Sequence, residues 1–366
     1  NSRSIPKCRR DAQVTRGGTM MQRRRRVDEE KAVSEILGVI MMLAMVVSIM
    51  GGVFVFLNPY LVAFHDNTNW NSANNIADRI EDRLDVVGDA PNGTGTRQAL
   101  SLQASSINPV QLVEEWVISA DLTPYEVVQV EEINSTSLRF VSINESITSV
   151  VITNPTNAVS IDVQSSFEYS VVDHNLTSET FLIVDMYNEA GIHVHRWARF
   201  VLSGLSISTN IDGGLNQIVL INDARISKDP STSFEIEKAP RLRLDTLVDG
   251  TTRLSLVLTD VQLSESLGNG PNVGFKVESL GPIQLFTGEA YNLRVMVKNT
   301  LHSIVDPQYH EIWLTDYTLN RASGTLDEFI GISPYQRASG IDGFTVETQD
   351  LALSLEIDVR RMVVNG

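Results

Sequence analysis

Hydrophobic and polar residues follow two different patterns along the chain, and these patterns divide it into two parts. Near the N-terminus, Ile36–Leu57 is a continuous apolar run without a charged residue. A helix of about 20 such residues covers the ~30 Å hydrocarbon core of a bilayer, because each residue adds about 1.5 Å. The pattern therefore predicts one membrane-inserted helix, which we place at residues 33–64.

A second helical pattern follows the apolar run. Asn58-Pro59 predicts a kink or break, because proline lacks the N–H that a helix interior requires. Apolar side chains then recur every three or four residues, which predicts an amphipathic helix and a linker over residues 65–97. Gly88 and Pro91 end this helix, and Asn92–Gly95 is typical of a flexible connection. The apolar stripe either packs on the following domain or joins a bundle of subunits, and its members are Ala73, Ile76, Ile80, Leu84 and Val87.

From residue 98 onward the period of the pattern is two, which is typical of strands with one buried face. Leu351–Val359 alternates apolar and polar residues, and so do the segments around Leu256 and Val295. Asp249-Gly250 predicts a tight hairpin between strands at 241–247 and 252–260.

The predicted fold class is therefore α+β, with an N-terminal helix ahead of a mostly antiparallel, sandwich-like β-body. Ser208–Gly214 is a candidate boundary between two β-domains, residues 98–207 and 208–366, and one continuous β-domain is the alternative. Further strands are predicted at residues 125–131, 137–143, 148–153, 159–165, 167–173, 179–187, 192–202, 217–221, 233–237, 273–278 and 309–315.

The charge distribution separates the same two parts. The chain has a net charge of −16, yet residues 1–31 contain ten Lys/Arg against four Asp/Glu. The rest of the chain contains 19 Lys/Arg and 41 Asp/Glu, which disfavours a general nucleic-acid-binding protein because such a protein neutralises phosphates with basic side chains. The cationic run Arg23–Arg26 predicts a cytoplasmic N-terminus and an extracellular body in a single-pass membrane protein.

Residues 1–32 form a predicted leader ahead of the helix. Met20-Met21 directly precede the arginine run, so we expect translation to start at one of them and residues 1–19 to be an upstream extension. The single cysteine, Cys8, lies in that extension. One cysteine allows neither an intramolecular disulfide nor a Cys-rich zinc site.

A cleavable secretory signal is the alternative to a retained helix. Such a signal has a shorter apolar core and a small-x-small cleavage site after it. Residues 58–65, which follow this core, contain no such site. We therefore expect the apolar helix to remain in the mature protein.

The start of the helix carries a more specific pattern. Lys31-Ala32-Val33-Ser34-Glu35-Ile36-Leu37-Gly38-Val39-Ile40 resembles the signal of archaeal type IV pilin-like proteins, and the resemblance extends to about Phe56. In that family a membrane prepilin peptidase removes the leader and leaves the helix as anchor and filament core. The resemblance thus implies cleavage between Ala32 and Val33, with the peptidase and other pilin-like subunits as partners. It covers no part of the β-body.

Two features of the helix are candidates for subunit assembly. Glu35 is either an interfacial carboxylate near a helix N-terminus or a partner for the α-amino group that cleavage creates. It would be the third mature residue, whereas better-known pilins carry a carboxylate at the fifth. Small residues spaced four apart let helix backbones approach in lipid, although such residues are also common in membrane helices. These residues are Ser34, Gly38, Ala44, Ser48 and Gly52.

Four N-glycosylation sequons lie in the first half of the predicted body or just before it. Each contains the Asn-x-Ser/Thr pattern in a turn-like context, and together they fit an exported surface glycoprotein. The acceptor residues are Asn92, Asn134, Asn144 and Asn175.

Candidate catalytic and metal-binding patterns are sparse. His193-Val194-His195 would place two imidazoles on one strand face, as in some zinc sites, but no third ligand is near in sequence. The turns Asp212–Gly214 and Asp229–Ser233 lack a complete calcium-loop signature. We therefore expect no bound metal, no cofactor and no enzymatic activity.

The leading hypothesis for function is a surface-exposed, membrane-anchored pilin-like subunit of the minor, pseudopilin or adhesin type. A mature chain of about 334 residues is large for a repetitive major subunit. The alternative is an unprocessed single-pass membrane protein whose extracellular β-domain binds a ligand or partner. A surface or carbohydrate ligand is compatible with both hypotheses. An anchored hydrolase is a third hypothesis, and no catalytic motif supports it.

Overall fold

The structure is a computed structural model that describes most of the chain. The residues described are 17–124, 128–134, 137–142, 147–155, 158–162, 169–173, 180–212, 214–228, 235–238, 240–248, 251–299, 331–338, 341–347 and 352–366. The strand predicted at 309–315 lies outside these ranges.

One long helix, α1, runs from Gly17 to Gly88. The break considered at Pro59 is absent, because Pro59 lies inside α1. An interior proline costs roughly 3 kcal/mol, which the long helical stretches on both sides outweigh. The helix ends at Gly88 as predicted. The chain divides into two compact units, Asn1–His65 and Asp66–Gly366, so the boundary between them falls within α1.

Nineteen strands follow α1 in the described part of the chain. The first group is β1 (Gly95–Leu100), β2 (Ser105–Asp121), β3 (Val128–Asn134), β4 (Ser137–Ser142), β5 (Ile147–Thr153), β6 (Ala158–Asp162) and β7 (Tyr169–Asp173). The second is β8 (Phe181–Asn188), β9 (His193–Ile211), β10 (Gly214–Ile221), β11 (Ala224–Lys228), β12 (Glu235–Lys238) and β13 (Arg241–Thr246). The third is β14 (Thr252–Leu263), β15 (Val273–Ser279), β16 (Ile283–Asn299), β17 (Gly331–Ala338), β18 (Ile341–Glu347) and β19 (Leu353–Asn365).

Hydrogen bonds join the described strands into one 16-stranded sheet and one three-stranded sheet. The main path of the large sheet is β1-β15-β19-β16-β2-β9-β10-β11-β12, and the small sheet is β3-β4-β7. Three groups of strands branch from this path. Strand β8 pairs with β9 and continues through β5 to β6. Strand β14 pairs with β19 and with β13, and strand β18 pairs with β16 and with β17. The β14–β19 pair is parallel, and the other described pairs are antiparallel. The chain is therefore α+β, as the sequence predicts.

The large sheet folds into two layers that face each other across an apolar core. Strand β14 packs against β2 and β9 without forming a ladder with either. Trp116 and Phe200 from one layer meet Leu256 and Ile357 from the other, and all four are at most 1% exposed. The body thus has the sandwich-like layering that the alternating pattern predicts.

Strand β16 passes from one layer to the other at Asn292. Its first half pairs with β19 and its second half pairs with β2 and β18. The register with β2 shifts between Tyr291 and Arg294, and Asn292 has a φ of 48°. Asparagine tolerates this left-handed conformation better than most residues, so it suits the bulge that turns the strand.

The central strand β2 is absent from the sequence prediction. Pro109 lies inside it and is paired in register with Leu205 of β9. The β2–β9 register then shifts between Val110 and Glu114. Proline lacks an N–H for the ladder, and a bulge beside it lets the strand resume pairing.

The buried faces predicted for the alternating strands around Leu256, Val295 and Leu355 are confirmed. Leu353, Leu355, Ile357 and Val359 are each at most 1% exposed, while Leu351 lies outside the described residues. The predicted hairpin pairs β13 with β14, with Thr246 opposite Thr252.

Two predicted connections have a different local structure. Residues 208–211 belong to β9, which forms a hairpin with β10 inside the unit Asp66–Gly366. The division into domains at 207/208 stays a prediction. The connection 92–95, expected to be flexible, is bonded to the body: the Gly93 N–H donates to the Ser279 carbonyl at 2.9 Å, and the Ser279 N–H donates to Thr94 at 2.8 Å.

Candidate functional site

The most distinctive surface in the structure is the apolar part of α1. Every residue from Val33 to Leu61 is exposed, including Met42 at 70% and Phe54 at 67%. In the described part of the chain, α1 alone is long and apolar enough to cross a membrane, and its most apolar 18-residue window has a mean hydropathy of 2.6 with none of it buried. This helix has the composition of a membrane anchor or a signal sequence.

The predicted assembly residues all lie on this exposed helix. Ser34 and Gly38 are one turn apart, and Ala44, Ser48 and Gly52 form a second row with the same spacing. A Cβ added at Gly38 or Gly52 would meet no atom within 4 Å. Glu35 is also exposed on the helix. At the predicted processing site Val33 is exposed, and Ala32 lies in the helical backbone.

Beyond His65 the environment of the helix changes. The predicted stripe is buried against the β-body, so its packing on the following domain is confirmed. It contacts apolar side chains from both layers, including Leu205, Ile218, Phe275 and Met362. The stripe residues are Ala73, Ile76, Ile80, Leu84 and Val87, joined by Ala77, and none is more than 8% exposed.

Ion pairs flank this buried stripe on its acidic side. Arg225 of β11 is 9% exposed and donates from Nη1 to Asp78 Oδ1 at 2.6 Å and from Nη2 to the side-chain oxygen Oδ1 of Asn74 at 2.5 Å. Its Nε lies 2.7 Å from Glu237 of β12. One guanidinium thus joins the helix to two neighbouring strands.

A second arginine holds the end of the helix. Arg360 of β19 donates to both carboxylate oxygens of Asp89, at 2.7 and 2.5 Å. Its Nη1 lies 3.5 Å from Asp85, which also pairs with Arg241 of β13. Bidentate pairing of this kind fixes geometry as well as charge.

Between these arginines, Glu81 occupies a partly buried position. Lys238 Nζ lies 3.7 Å from Glu81 and 3.0 Å from Asp223. Burial raises the pKa of Glu81, and its attraction to Lys238 and Arg225 offsets only part of that increase. Glu81 therefore binds a proton more readily than an exposed glutamate does.

A further contact ties the first turns of this docked segment to a hairpin. The Asp212 N–H, at the β9–β10 turn, lies 3.2 Å from each carboxylate oxygen of Asp66. The docked segment 66–88 is thus attached to the body near both of its ends.

The two histidines considered as metal ligands have separate carboxylate partners. His195 Nδ1 lies 2.7 Å from Asp121 in the core, while His193 Nε2 lies 2.9 Å from Asp185. The β8–β9 register shifts next to them, between Met186 and Tyr187. In the described residues no group of three or more His, Cys, Asp or Glu side chains is arranged to hold a metal ion.

Asp185 is the centre of a charged cluster on β8 and β9. It accepts hydrogen bonds from Arg196 Nε at 2.5 Å and Nη2 at 3.1 Å, and His193 stacks on Tyr187 with 4.9 Å between ring centroids. Burial alone would raise the pKa of Asp185, but the hydrogen bonds from His193 and Arg196 outweigh it and lower the pKa. Asp185 is therefore held as a carboxylate.

The glycosylation candidates divide into described and undescribed positions. Asn92 is exposed at the turn before β1, and Asn134 is the last residue of β3. Asn144 and Asn175 lie outside the described residues. Their glycosylation stays a prediction.

Comparison of this chain with protein families, with curated proteins and with solved structures gives no match.

Proposed function

We propose that this chain is a membrane-anchored surface protein of the pilin-like kind, with α1 as anchor and assembly element and the β-body displayed outside the cell. The observation that carries the proposal is a contrast within α1. Val33–Leu61 is apolar and exposed, whereas the stripe from Ala73 to Val87 is buried in the body. An apolar surface this long needs a bilayer or a bundle of similar helices to cover it.

The pilin-like part of the proposal rests on the resemblance of Lys31–Ile40 to archaeal type IV pilin-like signals. Arg23–Arg26 and Lys31 hold the uncut chain in the membrane, because cationic side chains cross hydrocarbon only at a large cost. Cleavage before Val33 removes them and leaves an α-amino group two residues from Glu35. These opposite charges neutralise each other within or between subunits, which allows the helix to leave the bilayer for a filament.

The helical segment that follows the apolar part of α1 is packed on the β-body. The segment 66–88 is fixed to the body through the buried stripe and through Arg225 and Arg360. The segment that follows the apolar part of α1 is therefore part of the body itself. We assign the chain to a minor, tip or adhesive subunit, and its size favours this over a repetitive major subunit.

The test is the mature N-terminus, with Ala32→Lys as the decisive variant. In cells with an active prepilin peptidase, mass spectrometry of the wild-type protein should find a chain that begins at Val33. Ala32→Lys should block this cut, because the signal has a small residue there, and the uncut chain should stay in the membrane and be absent from sheared surface filaments. Val27→Lys adds the same charge farther from the cut and should be processed normally.

A wild-type N-terminus still at Met20 or Met21 contradicts the pilin-like proposal. That result leaves an unprocessed single-pass membrane protein with an extracellular binding domain. Loss of processing in both lysine variants would show that leader charge, rather than the residue before Val33, controls the cut.

A further inference from the structure

A small cavity lies beneath the ion pairs that hold the docked helix. Its volume is about 20 Å³, and it is bounded by α1, the β10–β11 turn, β14 and β19. Glu81, Asn222 and Thr259 line it from three of these elements. A cavity of this size admits about one water molecule.

The β10–β11 turn fixes the orientation of Asn222. Asn222 and Asp223 have φ values of 48° and 62°, as in the tight turns that join antiparallel strands. Asn222 is 1% exposed, and its Oδ1 accepts a hydrogen bond from the Thr259 N–H at 2.9 Å. That bond identifies the other amide atom, Nδ2, as a buried donor, and it has no protein partner.

Two more polar atoms at the cavity lack a hydrogen bond. Thr259 is 5% exposed and its Oγ1 has no partner. Glu81 Oε1 likewise accepts no hydrogen bond, and Arg225 Nη1 lies 3.6 Å from it. A buried polar atom without a partner costs about 1–3 kcal/mol, so three around one cavity point to a bound ligand.

The chemistry of these atoms selects the ligand. A cation cannot accept a hydrogen bond from Asn222 Nδ2. Among the described residues that line the cavity, Arg360 is the one cation, against the carboxylates of Glu81, Asp85 and Asp223. An anion without hydrogen also cannot donate a hydrogen bond to Glu81 Oε1. Water both accepts and donates. We propose that the cavity binds one water molecule, which accepts from Asn222 Nδ2 and donates to Glu81 Oε1 and Thr259 Oγ1.

This water adds a link between the helix and the body beside their direct contacts. It connects α1 with the β10–β11 turn and β14, between the Arg225 and Arg360 ion pairs. The docked helix is then held in part by a solvent molecule with three hydrogen bonds, which matches the usual coordination of buried water.

The experiment is oxygen-17 magnetic relaxation dispersion on the full chain in detergent micelles, which measures how long buried waters stay bound. Thr259→Val keeps the shape of the side chain and removes one hydrogen bond. It should shorten the residence of one long-lived water by about tenfold, the equivalent of one hydrogen bond. Thr252→Val is the matched control, because Thr252 also has a buried Oγ1 without a partner but does not line the cavity.

Water residence unchanged by Thr259→Val overturns the proposal, and so does an equal change in Thr252→Val. A third measurement addresses a bound cation. Replacing Na⁺ by tetramethylammonium at constant ionic strength should leave the wild-type residence time unchanged. A shift on that replacement would identify a metal cation in the cavity and overturn the assignment of water.

Discussion

Arg225 and Asp78 form an ion pair across the seam between α1 and the β-body, with 2.6 Å between Nη1 and Oδ1. The two residues are 147 positions apart in the chain. Their side chains differ in environment, since that of Arg225 is 11% exposed and that of Asp78 is 62% exposed. The buried arginine also has Asn74 and Glu237 as partners. We therefore expect it to contribute more to the stability of the contact between α1 and the body than any one of its carboxylate partners.

This difference predicts unequal effects of two substitutions. Arg225→Leu leaves Glu81 and Glu237 without their shared cation and should reduce the free energy of unfolding by about 3 kcal/mol. Asp78→Asn removes an exposed partner and should cost less than about 1 kcal/mol. Urea unfolding of the fragment 66–366, one compact unit, measures both values. Equal losses would show that Arg225 is stabilised by Asp78 alone.

Sequence periodicity predicts the faces of the helix and of several strands correctly, because burial acts on each residue according to its position in the period. Ile80 and Leu84 fall on the helical stripe, and Leu355 and Ile357 fall on one face of β19, and all four are buried. Pairing between residues that are far apart in the chain produces no periodic pattern in the sequence. Nothing in the local sequence of Arg225 indicates Asp78 as its partner.

Proline and glycine normally interrupt strands, yet β2 contains Pro109 and β9 contains Gly204. The sequence prediction omits β2 and ends β9 too early. Pro109 obscures β2, although a bulge accommodates it. Gly204 lies inside β9, beyond the predicted end at residue 202. A Cβ there would collide with the Leu220 carbonyl oxygen of β10, so glycine permits a close approach of two strands rather than a turn. Sequence alone does not distinguish these two uses of glycine.

The buried face of β19 gives a second prediction. Leu355 is 1% exposed, and an aspartate there would place an unpaired charge in the core between the layers. Leu355→Asp should therefore prevent folding or cost at least about 4 kcal/mol. Ser354→Asp places the same charge on the half-buried opposite face and should cost about 0.5 kcal/mol. Thermal unfolding by circular dichroism compares them, and similar losses would contradict the register.

The lowered pKa of Asp185 gives a prediction about acid stability. Its pKa in the folded protein is below the ordinary value of 3.8. The carboxylate therefore stabilises the fold above that value, and this contribution is lost as the pH falls below 3.8 towards the folded-state pKa. Asp185→Asn should reduce stability at pH 7 and have a smaller effect at pH 3. Urea unfolding at both values is the measurement, and an equal loss at each would contradict the pairing with His193 and Arg196.

The pKa of Glu81 is shifted in the opposite direction to that of Asp185. Burial, only partly offset by Lys238 and Arg225, raises its pKa above 4.5, so its contribution to stability is present below that pH and is lost as the pH rises through the folded-state pKa. Glu81→Gln keeps the shape and removes the charge that burial disfavours. It should make the protein more stable than the wild type at pH 7 and leave stability nearly unchanged at pH 3. A loss at pH 7 would show that the ion pairs outweigh the cost of burial.

The orientation of the chain gives the last prediction. Arg23–Arg26 precede the exposed apolar helix, and a cationic cluster beside a span is retained on the cytoplasmic side. Protease added to intact cells or spheroplasts should therefore degrade the body and leave a membrane-protected piece containing Val33–Leu61. Replacing the four arginines by serine should weaken this orientation and protect part of the population. A control surface protein must be digested and a cytosolic one must survive. Full protection of the wild-type body under those conditions would place it inside the cell and contradict its display on the surface.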